Sequence, residues 1–122
     1  QYTGPKSTAK GTVTIPAMVK VDGVSYRVTS IADNAFKNNK KITRVVIGSN
    51  IVTIGKNAFY GCKNLKKITI KSEKLTSKSI AKNAFRGISK KTVVKVPVSK
   101  YKAYKKMLYA KGLNKKVQIL KY

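Results

Sequence analysis

SNIVTIGKNAFYGCKNLKKITI, residues 49–70, is the stretch whose reading decides the fold. Its central phrase Asn57-Ala58-Phe59 recurs as Asn34-Ala35-Phe36 and as Asn83-Ala84-Phe85, at spacings of 23 and 26 residues. Self-similarity at such a period marks a solenoid, in which each coil buries its apolar face only against its neighbours. Three residues before each Asn stand Ile31, Ile54 and Ile80. Eleven after stand Val45, Ile68 and Val94, and thirteen after stand Ile47, Ile70 and Val96. The last two sets are two residues apart, so one short strand per coil sends both side chains inward. Ile42 and Leu65 hold the position eight after Asn; in the third repeat it is Lys91, and Ile88 is expected to take the buried role.

Each Asn-Ala-Phe segment is expected to be a short helical turn opposite the strand, with Phe stacked inward and Asp33, Lys56 and Lys82 in water. Gly61, Gly87 and Asn38 match one another after the Phe and supply a positive φ. Cys62 fits as a small buried thiol better than as a reactive one, there being no His to activate it. The third repeat has three extra residues around Ser72-Glu73-Lys74, read as a loop bulge. The predicted class is therefore a β-rich solenoid of about three coils with short strands and short helical turns.

Outside the repeats, residues 1–11 are rich in Gly, Pro, Ser, Thr and Lys and read as a linker or frayed start. Alternation on both sides of Asp22-Gly23 predicts a β-hairpin, with strands near 12–21 and 24–30, that covers the first coil. Past Pro97, Ser99 is placed as an N-cap. Lys100 to Lys111 has helical spacing of Tyr101, Tyr104 and Leu108, ended by Gly112, and a last strand follows at Val117–Leu120. Such a helix has two uses, lying on an anionic membrane or packing over the last coil, and packing is favoured. Residues 12–122 thus form one domain: hairpin cap 12–30, repeats 31–97, and a helix-plus-strand cap 98–122.

With 28 Lys+Arg against 3 Asp+Glu and no His, the formal charge is +25. Only Arg27, Arg44 and Arg86 are arginines, so specific nucleic-acid readout is disfavoured and diffuse attraction to a polyanion is favoured. A solvated face that serves only solubility explains the same charge. Asp22, Asp33 and Glu73 stand in three different segments. Paired carboxylates, a Ser/His/Asp set, a phosphate loop and zinc spacing are all missing, so no catalytic, cofactor or metal residue is assigned and the chain is not read as an enzyme. One cysteine permits no intrachain disulfide. Residues 1–20 contain no run of seven or more apolar residues, so no signal peptide or transmembrane helix is seen there.

The strand spacing I-x-x-V-x-I, then L-x-x-I-x-I, is the one leucine-rich repeats use to line a horseshoe. The phrase Ile54-Gly55-x-x-Ala58-Phe59-x-Gly61-Cys62-x-x-Leu65-x-x-Ile68-x-Ile70 resembles, nearly position by position, the BspA-like leucine-rich repeats of bacterial surface proteins. A Val-Thr-Ile-Pro segment before the repeats and Val-Pro-x-Ser-Lys-x-x-x-Tyr-Lys-Lys after them are similar too. The likeness covers about residues 12–120. Ala32 and Asn39 depart from it in the first repeat, and the third lacks the Cys and Leu positions. It implies a secreted or cell-surface module, often part of a larger chain, that binds host, matrix or other surface proteins and mediates adhesion. Partner binding is placed on the concave strand face, at Arg44, Val46, Lys67, Thr69, Lys71 and Lys95. Two alternatives stay open: electrostatic binding of anionic polymers such as teichoic acid, sulfated glycans or nucleic acid, and a structural spacer.

Overall fold

The computed structural model describes residues 11–122. Among the described residues nine strands and one α-helix follow in order: β1 Gly11–Ile15, β2 Met18–Val21, β3 Val24–Arg27, β4 Ser30–Ile31, β5 Ile42–Ile47, β6 Thr53–Ile54, β7 Lys67–Ile70, β8 Val93–Val96, α1 Tyr101–Ala110 and β9 Gln118–Lys121. Five of them form one parallel sheet in the order β1-β5-β7-β8-β9. A second parallel ladder joins β4 to β6 and continues through a bridge from Ile54 to Ile80.

The period-2 expectation for the strands holds. Val45, Ile68 and Val94 are cross-strand partners in series and are buried; Ile47 and Ile70 are partners too, and both are buried, as is Val96. Ile31, Ile54 and Ile80 are buried as well, and so is Ile88, which stands where the second repeat has Cys62. On the far side, the rings of Phe36 and Phe59 stack with centroids 5.4 Å apart, and Phe59 stacks on Phe85 at 5.6 Å. The backbone there forms its own ladder: Phe36 N donates to Ala58 O at 2.8 Å and Phe59 N to Ala84 O at 2.9 Å.

These Phe segments are not helical turns. Asn34, Asn57 and Asn83 have φ of 59°, 57° and 62°, in the left-handed region that a right-handed helix excludes. Each Asn is third in a turn closed by a bond such as Ala58 N to Gly55 O, the place where a type II turn demands positive φ. Asn tolerates that region where most residues do not, which explains the repetition of this residue type. Gly61, Gly87 and Asn38 adopt the positive φ expected of them.

Both ends differ from the sequence-based expectation. Residues 1–10 lie outside the described residues, so the proposed linker is not addressed, but Gly11 already belongs to β1. The hairpin is shorter than predicted, β2 with β3 only. Residues 11–15 instead pair in parallel with β5, because Val13 and Ile15 repeat the inward spacing of Val45 and Ile47 and lie in register with them. β4 joins β6 instead of extending the hairpin. Every residue of β2 and β3 is exposed, so it is β1 that lies against the first repeat strand.

At the other end α1 buries Tyr104, Met107 and Leu108, which answers the choice between packing and membrane contact in favour of packing. Tyr104 Oη donates to Ser72 O at 2.8 Å and accepts from Leu75 N at 3.0 Å, so the helix anchors the loop carrying the three extra residues. Ser99 does not cap α1. Its residues 98–100 form a 3₁₀ turn, and its hydroxyl donates to Glu73 instead. Gly112 ends the helix as expected: Leu113 N donates to Leu108 O and Gly112 N to Tyr109 O, the paired bonds of a Schellman motif.

Candidate interaction surface

Alternation in the parallel strands leaves one side chain in two outside the core. The register aligns these outward residues across the sheet. One row runs Thr12, Arg44, Lys67, Val93, Gln118, and the next runs Thr14, Val46, Thr69, Lys95, Leu120. Neighbouring strands lie about 4.8 Å apart, so residues more than twenty positions apart in the chain become immediate neighbours.

Of the sequence-predicted site residues, Arg44 and Lys67 are direct cross-strand partners, as are Val46 with Thr69 and Thr69 with Lys95. Arg44 is exposed, and Val46, Lys67, Thr69 and Lys95 are half-buried. Lys71 is exposed one residue beyond the end of β7, where its N–H donates to Ile47 O at 2.9 Å, so it flanks the rows without belonging to the strand. Thr12, Thr14, Gln118 and Leu120 escape the sequence reading, which does not place β1 and β9 in this sheet. The Val13-x-Ile15 spacing was the available signal for β1.

The rows carry no carboxylate. Asp22 sits in the β2–β3 turn, Asp33 accepts from Lys56 N, and Glu73 accepts from Ser99. Lys67 therefore faces like charges: the Lys95 ammonium above all, then partial desolvation and Arg44, hold its pKa below the usual lysine range. A cationic cluster of this kind stores repulsion that an anionic partner relieves.

Cys62 is fully buried, its thiol donates to Phe36 O, and burial pushes its pKa up to about 12, so the nucleophilic thiolate is suppressed. Among the described residues no group of three or more His, Cys, Asp or Glu is placed to hold a metal ion. Tyr104 is buried, and Tyr101 and Tyr109 pack partly buried against the core, so the helix tyrosines are packing residues. Among the described residues no helix is long and apolar enough to cross a membrane.

A parallel sheet built from in-register repeats, with a second ladder and a Phe stack behind it, defines a repeat protein with a regular exposed face. The particular family follows from comparison: residues 23–120 match the BspA type leucine rich repeat region in six copies, and the chain belongs to that family. The family carries a solenoid-like repeat fold, suggests a protein-interaction or surface module, is typically non-enzymatic, and is associated with bacterial surface proteins. Neither the curated proteins nor the solved structures contain a significant match.

Proposed function

We propose that the chain is a non-catalytic module of an exported or cell-surface protein, and that it binds an acidic face of a protein partner through the outward side of the parallel sheet. Residues 12–122 act as one unit in this reading, about three full coils closed at one end by β1 with the hairpin and at the other by α1 with β9. The observation that carries it is the convergence of Arg44, Lys67 and Lys95, supplied by three successive repeat strands, on a surface without carboxylates. Val46, Thr69 and Leu120 add apolar and neutral contact area beside the charges, as a protein interface requires and a purely ionic coat does not. Lysine and arginine there steer association and select an acidic partner.

The test is binding to a panel of matrix proteins and anionic polymers at low and near-physiological salt, with an Arg44→Ser/Lys67→Ser/Lys95→Ser variant alongside. Saturable binding of a particular protein is expected to survive salt and to weaken about tenfold or more in the variant, equivalent to about 1.4 kcal/mol. Equal binding to every polyanion, lost with salt and unchanged in the variant, would show a diffuse charge effect and sink the reading.

A further inference from the structure

A second cationic feature borders the strand rows, where the start of β5 and the loops leading into β7 and β8 stack on one another. They enclose a depression of about 400 Å³ rimmed by Lys40, Lys63, Lys66 and Lys91, with Thr43 and Ser89 also in its lining. The walls are fixed by hydrogen bonds between repeats. Asn64 Nδ2 donates to Lys40 O at 2.8 Å, Lys66 N to Thr43 O at 2.7 Å, Thr92 Oγ1 to Leu65 O at 2.7 Å and Val93 N to Lys66 O at 3.0 Å. The four lysines themselves are exposed.

Two features separate this cluster from the general excess of charge. Lys91 stands where the other repeats place the buried Ile42 and Leu65, so the apolar pattern is broken at the one position that completes the rim. Beside Asn64 and Leu65, the lining is rich in donors: four ammonium groups, the Thr43 hydroxyl, and the Ser89 hydroxyl, whose oxygen accepts from Lys91 N and whose proton is left to donate. No carboxylate lines it. A group rich in acceptor oxygens and carrying negative charge is the complement, and Lys binds such groups as a point charge. The volume exceeds that of one oxyanion and suits a charged unit together with the chain that carries it.

We propose that this depression binds a tetrahedral oxyanion group, phosphodiester or sulfate ester, of a linear anionic polymer. The site is independent of the sheet-face reading and uses none of its residues. The experiment measures binding of inorganic polyphosphate, heparin and polyglutamate at near-physiological salt to three proteins: the unaltered chain, Lys63→Ser/Lys66→Ser/Lys91→Ser, and an equal-charge control, Lys102→Ser/Lys115→Ser/Lys116→Ser. All six positions are exposed, so both variants are expected to keep the parent melting temperature. The expected result is a loss of about tenfold or more in the rim variant for polyphosphate or heparin, against less than about threefold in the control. Polyglutamate is expected to respond equally to both variants. Tighter binding of polyphosphate assigns a phosphate source, and tighter binding of heparin a sulfate source. Equal losses in the two variants, or a polyglutamate response like that of the other polymers, would overturn the proposal. The Arg44→Ser/Lys67→Ser/Lys95→Ser variant is expected to retain this binding, which keeps the two sites distinguishable.

Discussion

Replacing Phe59 with Ala is expected to lower the melting temperature by roughly 10–25 °C. Phe59 is fully buried and is the middle ring of the Phe36–Phe59–Phe85 stack, so truncation removes both ring contacts at once. Buried Phe→Ala changes cost about 3–5 kcal/mol, and at this chain length 1 kcal/mol moves the midpoint by about 3–6 °C. Against a total stability of about 5–15 kcal/mol, that is a large share. Phe59→Leu retains most of the apolar volume and is expected to fall between the parent and Phe59→Ala. Thermal unfolding followed by circular dichroism makes the comparison. A midpoint for Phe59→Ala within a few degrees of the parent would mean that the stack does not hold the repeats together.

Gly55→Ala is expected to cost about 1–3 kcal/mol through overpacking. A Cβ at Gly55 would stand 2.5 Å from Asp33 N, 2.5 Å from Asp33 Oδ1 and 2.7 Å from Ala32 C. Two of those atoms are backbone, and the third is fixed because Asp33 Oδ1 accepts from Lys56 N at 2.7 Å. Gly55 N also donates to Ile31 O at 2.8 Å, which limits retreat of the second repeat from the first. Ala32 and Ala81 occupy the matching positions in the other repeats, so a Cβ is tolerated there. Ala81→Gly is accordingly expected to cost less than about 1 kcal/mol, and chemical denaturation of both variants reads the difference. An unchanged midpoint for Gly55→Ala would mean that the first two repeats are packed less closely than described.

The repeat core was largely legible in the sequence, because the side chains that stack on one another stand at fixed distances from each Asn-Ala-Phe. Burial of Ile31, Ile54 and Ile80, of the strand pairs and of the three Phe follows directly from that spacing. Backbone conformation was less visible. A tight helical turn and a turn with left-handed Asn both place Phe inward, and only the ladder between Phe segments distinguishes them. The ends were harder still. The Asp22-Gly23 turn draws residues 12–15 into a predicted hairpin, although Val13-x-Ile15 repeats the strand spacing. Pairing with β5 prevailed because it buries both side chains, whereas β2 and β3 bury none.

For the interaction surface, the sequence placed Arg44, Lys67 and Lys95 on one face, and the register makes Arg44 and Lys67 direct cross-strand partners. Their mutual electrostatics, and the rim of Lys63, Lys66 and Lys91, depend on how neighbouring repeats approach and cannot be counted from any one repeat.

The central claim is that strands from successive repeats bring Arg44, Lys67 and Lys95 together as one preorganised cationic cluster across two adjacent rows. An NMR titration of the Lys67 ammonium tests this most directly, with a Lys95→Ser variant in parallel. The account predicts that Lys67 loses its proton below the usual lysine range, chiefly because of the Lys95 ammonium, and that its titration moves back up when Lys95 is replaced. A Lys67 that titrates in the usual lysine range, unmoved by Lys95→Ser, would contradict it.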